Sequence, residues 1–276
     1  MENNADPTPL RWGIAATGSI AVKMCTALQS LPDADVAAVG SRTTESAEAF
    51  ADRFVIARAH GSYEDLWADT DVDVVYIASP HSHHHAMTIA ALDAGKHVLC
   101  EKAFAVNATQ AREMVDAARR NDRFLMEAMW TWFIPAAIDI RNRVLDGQVG
   151  ELKVIEADFG LPVTAPDGRH RRIDLAGGAM LDIGIYPVTF ARYLAGDPVA
   201  AQVSGTLGPT GVDATVGGVV TFAGGALGVF HTSLDMLTAG RATIYGTLGR
   251  IDVDAPFWYP TSFTLRVGGE EPVRVE

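Results

Sequence analysis

The chain has 276 residues, 48% of them hydrophobic and 20% charged, enough for two domains of ordinary size or one large one. Lys+Arg 22 against Asp+Glu 34 gives a net charge of -12, a field that repels phosphate backbones and argues against a nucleic-acid partner. The one dense basic run, Arg169-His170-Arg171-Arg172, reads as a solvated loop. Two cysteines, Cys25 and Cys100, are too few for a disulfide framework and fit a reducing compartment. The start, Met1 to Asp6, lacks the basic and apolar regions of a secretory signal, and no apolar run approaches the ~20 residues that span a bilayer. A cytoplasmic protein without a membrane partner is expected.

The first half alternates apolar runs with amphipathic segments. Arg11 to Ala15 predicts a strand, followed by a Gly-containing turn and a helix to about Ser30. Val36 to Gly40 predicts a second strand, and Thr44 a cap for a helix over 45–54, with Glu45 and Glu48 near its positive end. Ser62 to Asp65 resembles a capping box, and Val74 to Ala78 is apolar on both faces, as a strand between two helix layers should be. A helix from about His84 to Ala94, a strand at His97, a helix capped by Asn107 and a strand over 124–127 close the series. Strands alternating with helices at this spacing imply right-handed crossovers and a parallel, doubly wound domain, with a boundary at 128.

Residues 129–276 read as an α+β domain. A helix over 135–145 precedes a strand over 151–159, and a helix over 179–194 follows a Pro/Gly/Arg loop. Strand-like runs then succeed one another at 200–207, 216–222, 226–234, 241–246, 249–253 and 262–267. This pattern predicts an open, mostly antiparallel sheet with helices on one face, leaving the other as a natural homodimer surface. The fold class is α/β, a Rossmann-type parallel sheet joined to this second sheet.

Gly13, within the first strand, precedes Ala16-Thr17-Gly18-Ser19-Ile20-Ala21, a degenerate G-x-G-x-x-G/A opening a helix. Such a turn needs close backbone approach to a pyrophosphate and free N–H groups at the helix N-terminus. Gly18 supplies the approach. Ala16 fits the tight turn less well, at about 1–2 kcal/mol if the position requires positive φ. Where an acidic residue would hold a ribose 2′-hydroxyl, this chain has Ser41-Arg42, which suits a 2′-phosphate and makes NADP(H) the preferred cofactor, with NAD(H) second.

Ser79 and Pro80 end the next strand turn, and the histidines 81–85 follow. No metal is expected, because adjacent residues entering a helix diverge and no carboxylate or thiolate stands at ligand spacing. His81 and His84 are expected to line the nicotinamide pocket. Glu101 and Lys102 lie at the carboxyl end of the strand over 97–100, where open α/β sheets expose their chemistry. Asp182 and Tyr186, at i and i+4, would share a helix face and could bind a polyol. Trp130 and Trp132 are candidate pocket walls, interdomain packing being the other reading.

Taken together, GIAATGSIA at 13–21, SR at 41–42, AGKHVLCEKA at 94–103, MEAMWTWF at 126–133 and GGAMLDIGIYPV at 177–188 resemble the glucose–fructose oxidoreductase / inositol dehydrogenase (Gfo/Idh/MocA) family. The branch resembled most is that of the dimeric dihydrodiol dehydrogenases, which also act as NADP-dependent D-xylose dehydrogenases. The resemblance implies a hydride exchanged between NADP(H) and a carbinol carbon of a small sugar or cyclic trans-diol. Lys102 would be the acid/base, Glu101 would lie near the nicotinamide ribose, and Asp182 and Tyr186 would be the helix pair. Beside the nicotinamide the lysine pKa should fall, making it a usable base.

Three departures stand out. Ala103 replaces the family's proline, which follows a cis peptide bond, so a trans bond is expected here. Ala16 replaces the usual first glycine. The family's C-terminal helix is missing before Glu276, which suggests a truncated chain. These departures keep a second reading open, a dinucleotide-binding sensor of the same fold without catalysis.

Overall fold

A computed structural model describes residues 9–276; the opening segment read above for a leader lies outside them. The described chain forms two compact units that part between Ala128 and Met129.

In the first unit the elements run β1 (Leu10–Ala15), α1 (Ser19–Gln29), β2 (Ala34–Gly40), α2 (Thr44–Phe54), β3 (Arg58–His60), α3 (Tyr63–Ala68), β4 (Val74–Ile77), α4 (His81–Asp93), β5 (His97–Cys100), α5 (Ala108–Arg120) and β6 (Leu125–Glu127). The six strands are all parallel, in the order β3-β2-β1-β4-β5-β6. Period-two alternation divides their side chains between two helix layers. Ala15, Val75, Ile77, Val98 and Cys100 pack with Leu66, Met87 and Met114 on one face. Ile14, Val36, Val39 and Tyr76 pack with Ala21, Leu28 and Phe50 on the other. Every residue of β4 is therefore buried, as its sequence predicts.

The helix starts follow cap chemistry, with two corrections. The N-cap of α2 is Thr43, whose hydroxyl accepts from Ser46 N at 3.2 Å; Thr44, the predicted cap, is the first helical residue. Helix α4 begins at His81, directly after Pro80, one turn earlier than expected. Ser62 and Asn107 cap α3 and α5 as predicted, accepting from Asp65 N at 3.1 Å and Gln110 N at 3.0 Å. Strand β3 was not expected; it has no apolar run of its own and is held by pairing with β2. At the amino ends of β1 and β4, Arg11 grips Asp73 with two guanidinium nitrogens at 2.9 and 2.7 Å. That pairing holds the Asp73 carboxyl down at about 2.

The second unit contains α6 (Pro135–Leu145), β7 (Leu152–Gly160), α7 (Ile185–Ala195), β8 (Pro198–Leu207), β9 (Asp213–Phe222), β10 (Leu227–Ser233), β11 (Ala242–Gly246), β12 (Gly249–Val253), β13 (Phe263–Val267) and β14 (Val273–Val275). One eight-stranded sheet takes the order β14-β13-β12-β11-β7-β10-β9-β8. All its pairings are antiparallel except β7 with β10, a parallel pair that the unbroken succession of strands does not reveal. Its core joins Ile155, Phe230 and Ile244 of the sheet to Phe190, Ala191 and Leu194 of α7.

The helix expected over 179–194 is not regular. Met180–Gly184 forms a π turn and α7 continues from it. The helical stretch Ile173–Ala195 reaches a mean hydropathy of 1.2, so one segment is long and apolar enough to cross a membrane, contrary to the sequence reading. Half of that window is buried and its apolar residues belong to the core, which marks it as a core helix.

Candidate active site

The carboxyl ends of five parallel strands lie side by side. Ala15 is in register with Gly40 and Ile77, Ile77 with Cys100, and Cys100 with Glu127. Backbone bonds carry the alignment one residue further: Ala16 N to Gly40 O at 2.9 Å, Ala78 N to Ala15 O at 3.0 Å, and Glu101 N to Ile77 O at 3.0 Å. The segments that follow, carrying Thr17, Gly18, Ser41, Ser79 and Lys102, therefore leave the sheet at one edge. The chain order reverses between β1 and β4, the switch point where open α/β sheets bind ligands.

The turn after β1 fits a dinucleotide. Ala16 has φ +86, the positive value suspected from the motif. Gly18 is the N-cap of α1, with no side-chain cap and no acidic residue in the first turn. A Cβ placed on Gly18 would meet nothing within 4 Å. Thr17 is half-buried and Ser19 exposed, while Ile20 packs on the core beneath. The helix end thus presents uncapped N–H groups to open space, the arrangement a diphosphate needs. Gly13 serves differently: its Cβ would lie 2.9 Å from Val72 Cγ1, so it permits close packing under the turn. After β2, Ser41 is buried with its N–H on His60 O at 3.0 Å, and Arg42 is exposed.

The turn after β5 is fixed from three directions. Glu101 is 7% exposed; its Oε1 accepts from the phenol of Tyr76 on β4, and its Oε2 accepts from Lys102 N at 3.1 Å. Phe104 N donates to Glu127 Oε1 at 2.9 Å. The Lys102–Ala103 peptide bond is cis, not the trans bond expected once proline is absent.

His84 is corrected. Its ring is fully buried, with Nδ1 2.8 Å from Ala103 O and Nε2 2.9 Å from Ser79 O. It ties the turn after β4 to the turn after β5 rather than lining an open pocket. Burial pushes its pKa below the ordinary histidine value, and the charge of Lys102 adds to that shift. His81 is also buried and meets His84 edge-to-face at 5.6 Å. His85 pairs with Glu113 at 2.6 Å. No group of three or more His, Cys, Asp or Glu among the described residues is arranged to hold a metal ion.

In the second unit, the π turn and α7 carry Asp182 and Tyr186, so the one-face spacing of a regular helix does not apply to them. Their contacts locate them instead. Tyr186, 7% exposed, accepts at its hydroxyl from Trp130 Nε1 at 3.0 Å. Asp182, 5% exposed, accepts from Arg169 at 2.8 Å on Oδ1 and meets His170 Nε2 at 3.2 Å on Oδ2. Trp130 also lies against Tyr259, whereas Trp132 stacks on Tyr193 at 5.3 Å and packs on the core. Trp130 stays with the candidate site; Trp132 is a packing residue. The basic run is not merely solvated. Arg169 and His170 hold Asp182, Arg171 reaches Leu234 O at 2.9 Å and Asp235 at 2.7 Å, and Arg172 pairs with Asp174 at the surface. Sequence reasoning missed Tyr76, Arg169 and His170, since nothing local ties them to Glu101 or Asp182.

A six-stranded doubly wound sheet with an uncapped, open helix terminus at its switch point, and Lys102 in the turn after β5 at the same strand-end edge, is the framework of a dinucleotide-dependent oxidoreductase. Residues 10–129 match the family model described as an oxidoreductase family with an NAD-binding Rossmann fold, and 138–252 match the GFO/IDH/MocA C-terminal domain. Trans-1,2-dihydrobenzene-1,2-diol dehydrogenase of Danio rerio is 40% identical over 266 residues, covering 95% of this chain and 79% of the relative. The Homo sapiens enzyme of that name is 40% identical over 261 residues, covering 93% and 78%. Among solved structures, an aldose-aldose oxidoreductase from Caulobacter crescentus complexed with glycerol superposes with TM-score 0.89 at 26% identity, covering 97% of this chain and 83% of that one. A 3-ketoreductase from Actinomadura kijaniata, in complex with NADP and TDP-benzene, gives 0.87 at 27%, covering 97% and 85%. The chain belongs to the GFO/IDH/MocA family of NAD(P)-dependent oxidoreductases.

Proposed function

We propose that the chain is an NADP(H)-dependent dehydrogenase acting on a CH–OH group of a cyclic trans-diol or a sugar. The observation that carries this is the anchored Glu101-Lys102 turn at the end of β5, on the strand-end edge that also bears the open Gly18 helix terminus. The relatives' names, dihydrodiol dehydrogenase and aldose-aldose oxidoreductase, support the substrate class.

The residues of the 16–20 turn would hold the diphosphate through backbone N–H groups, and Ser41 and Arg42 would hold the ribose phosphate through charge-assisted hydrogen bonds. Bound NADP(H) supplies or accepts the hydride. Lys102 takes the hydroxyl proton as the carbinol is oxidised and returns it in the reverse direction. Asp182 accepts a hydrogen bond from a substrate hydroxyl, and the phenol of Tyr186, held by Trp130 Nε1, is a second polar group of that unit for the substrate.

The test is absorbance at the reduced-nicotinamide band with NADP⁺ and a panel containing trans-1,2-dihydrobenzene-1,2-diol, D-xylose, hexoses and inositols. Turnover of at least one member is expected. Tight NADP⁺ binding without turnover across the panel would favour the sensor reading instead.

We also propose self-association. Every residue of β8 is exposed, and Val199, Val203 and Leu207 leave apolar side chains uncovered along that strand. A second copy covering this apolar stripe is expected, seen as a dimer in sedimentation that Val203→Asp dissociates.

A further inference from the structure

The loop that carries the basic run is folded back by two glycines. Gly177 N donates to Arg172 O and Gly178 N to His170 O, both at 2.9 Å. A Cβ on Gly177 would stand 2.6 Å from Arg169 O and from His170 O, so no other residue allows this approach unchanged. The fold-back sets a guanidinium and an imidazole against one buried carboxylate. The Arg169 side chain is 45% exposed and the Asp182 side chain 8%, so the guanidinium reaches inward from the surface to an interior anion. The run's other two arginines are taken up elsewhere, Arg171 by Asp235 and Arg172 by Asp174. The nearby Asp213 is committed to Met180 N at 2.7 Å, the first N–H of the π turn.

Resting on the reading of Asp182 as the acceptor of a substrate hydroxyl, we propose that Arg169 is a positioning residue for the reaction, acting through Asp182. The terminal torsion of an aspartate has a broad well, so an unheld carboxylate samples many orientations. A planar guanidinium on one oxygen and an imidazole on the other fix its plane. A substrate hydroxyl then meets lone pairs whose direction is already set, and this preorganisation counts because small misplacements of a reacting group can cost about 10²-fold in rate. A lysine at this position would supply charge without the planar fork.

Steady-state kinetics with NADP⁺ and, as probes, trans-1,2-dihydrobenzene-1,2-diol and D-xylose test the role. Arg169→Ala and Arg169→Lys are each expected to lower kcat/KM for the probe about 10- to 100-fold. The Kd for NADP⁺ should be unchanged, and millimolar guanidinium ion should partly restore Arg169→Ala. Arg172→Ala, which removes a neighbouring charge paired only at the surface, should behave as the unaltered chain. The double variant Arg169→Ala/Asp182→Asn should be no slower than Asp182→Asn, because the arginine acts through that carboxylate. Additive losses, or full activity of Arg169→Ala beside a slow Asp182→Asn, would overturn the positioning role alone. Full activity of Asp182→Asn, or no turnover of either probe by the unaltered chain, would instead overturn the reading of Asp182, and the positioning role with it.

Discussion

The phenol of Tyr76 donates to Oε1 of Glu101, and the same carboxylate accepts the backbone N–H of Lys102 at 3.1 Å on its other oxygen. Two adjacent strands thus set the path of the chain where the candidate base stands. Tyr76 is 1% exposed, so no water replaces the donor it supplies. Tyr76→Phe should cost about 1–3 kcal/mol of stability, the range for a charged hydrogen-bond partner removed in the interior. Urea denaturation of the variant against the parent measures it.

Lys102→Ala should lower kcat about 10²- to 10⁴-fold, the contribution typical of a positioned acid/base, while NADP(H) affinity moves by at most a few-fold. Stopped-flow hydride transfer and cofactor fluorescence separate the two effects. Equal loss of both would remove the lysine from the chemistry and leave it a binding role.

Arg42 decides cofactor choice in this reading. Arg42→Ala should raise KM for NADP⁺ about 10- to 100-fold, the worth of a charge-assisted contact to a phosphate, and leave KM for NAD⁺ nearly unchanged. A parallel rise for both cofactors would show that Arg42 does not discriminate the 2′-phosphate.

Gly178 has φ +124, and a Cβ there would lie 2.0 Å from Asp213 Oδ1, the carboxylate that caps the π turn. Gly178→Ala should destabilise the chain by about 2–3 kcal/mol, combining backbone strain with the displaced cap. Thermal unfolding checks the stability. Activity should fall as well, because the π turn carries Asp182.

Asp73 gives the pH dependence. Arg11 holds its carboxyl at about 2, below the ordinary 3.8. A carboxyl with a depressed folded pKa stabilises the folded chain above its unfolded pKa, and that contribution is lost as the pH falls from 3.8 towards about 2. Asp73→Asn should therefore be less stable than the parent at neutral pH, with the difference shrinking across that acid window in urea titrations.

Five of the six strands of the first unit were legible because each carries a short apolar run, and that of β4 is buried on both faces. The turns at their ends were legible because glycine, histidine and lysine interrupt those runs. What escaped has physical reasons. Strand β3 draws its order from the edge of β2 rather than from its own side chains. Two adjacent threonines offer equal cap chemistry, and only the extended backbone of Thr43, φ -138 and ψ 148, makes it the cap. A π turn has no composition of its own, so Met180–Gly184 read as ordinary helix. Arg169 and His170 lie in a sequence that looks like solvated loop, and their partner is brought to them by a fold-back whose only local sign is Gly177-Gly178.

Cys100 closes the strand that delivers Lys102; both it and Cys25 are fully buried, with thiols pushed up to about 12 and about 11. Neither sulfur offers thiolate to an alkylating reagent while the sheet is intact. The rate at which such a reagent consumes these two groups therefore clocks the opening of the nucleotide-binding half, and a slower clock in the presence of NADP⁺ would weigh the ligand's grip without any turnover at all.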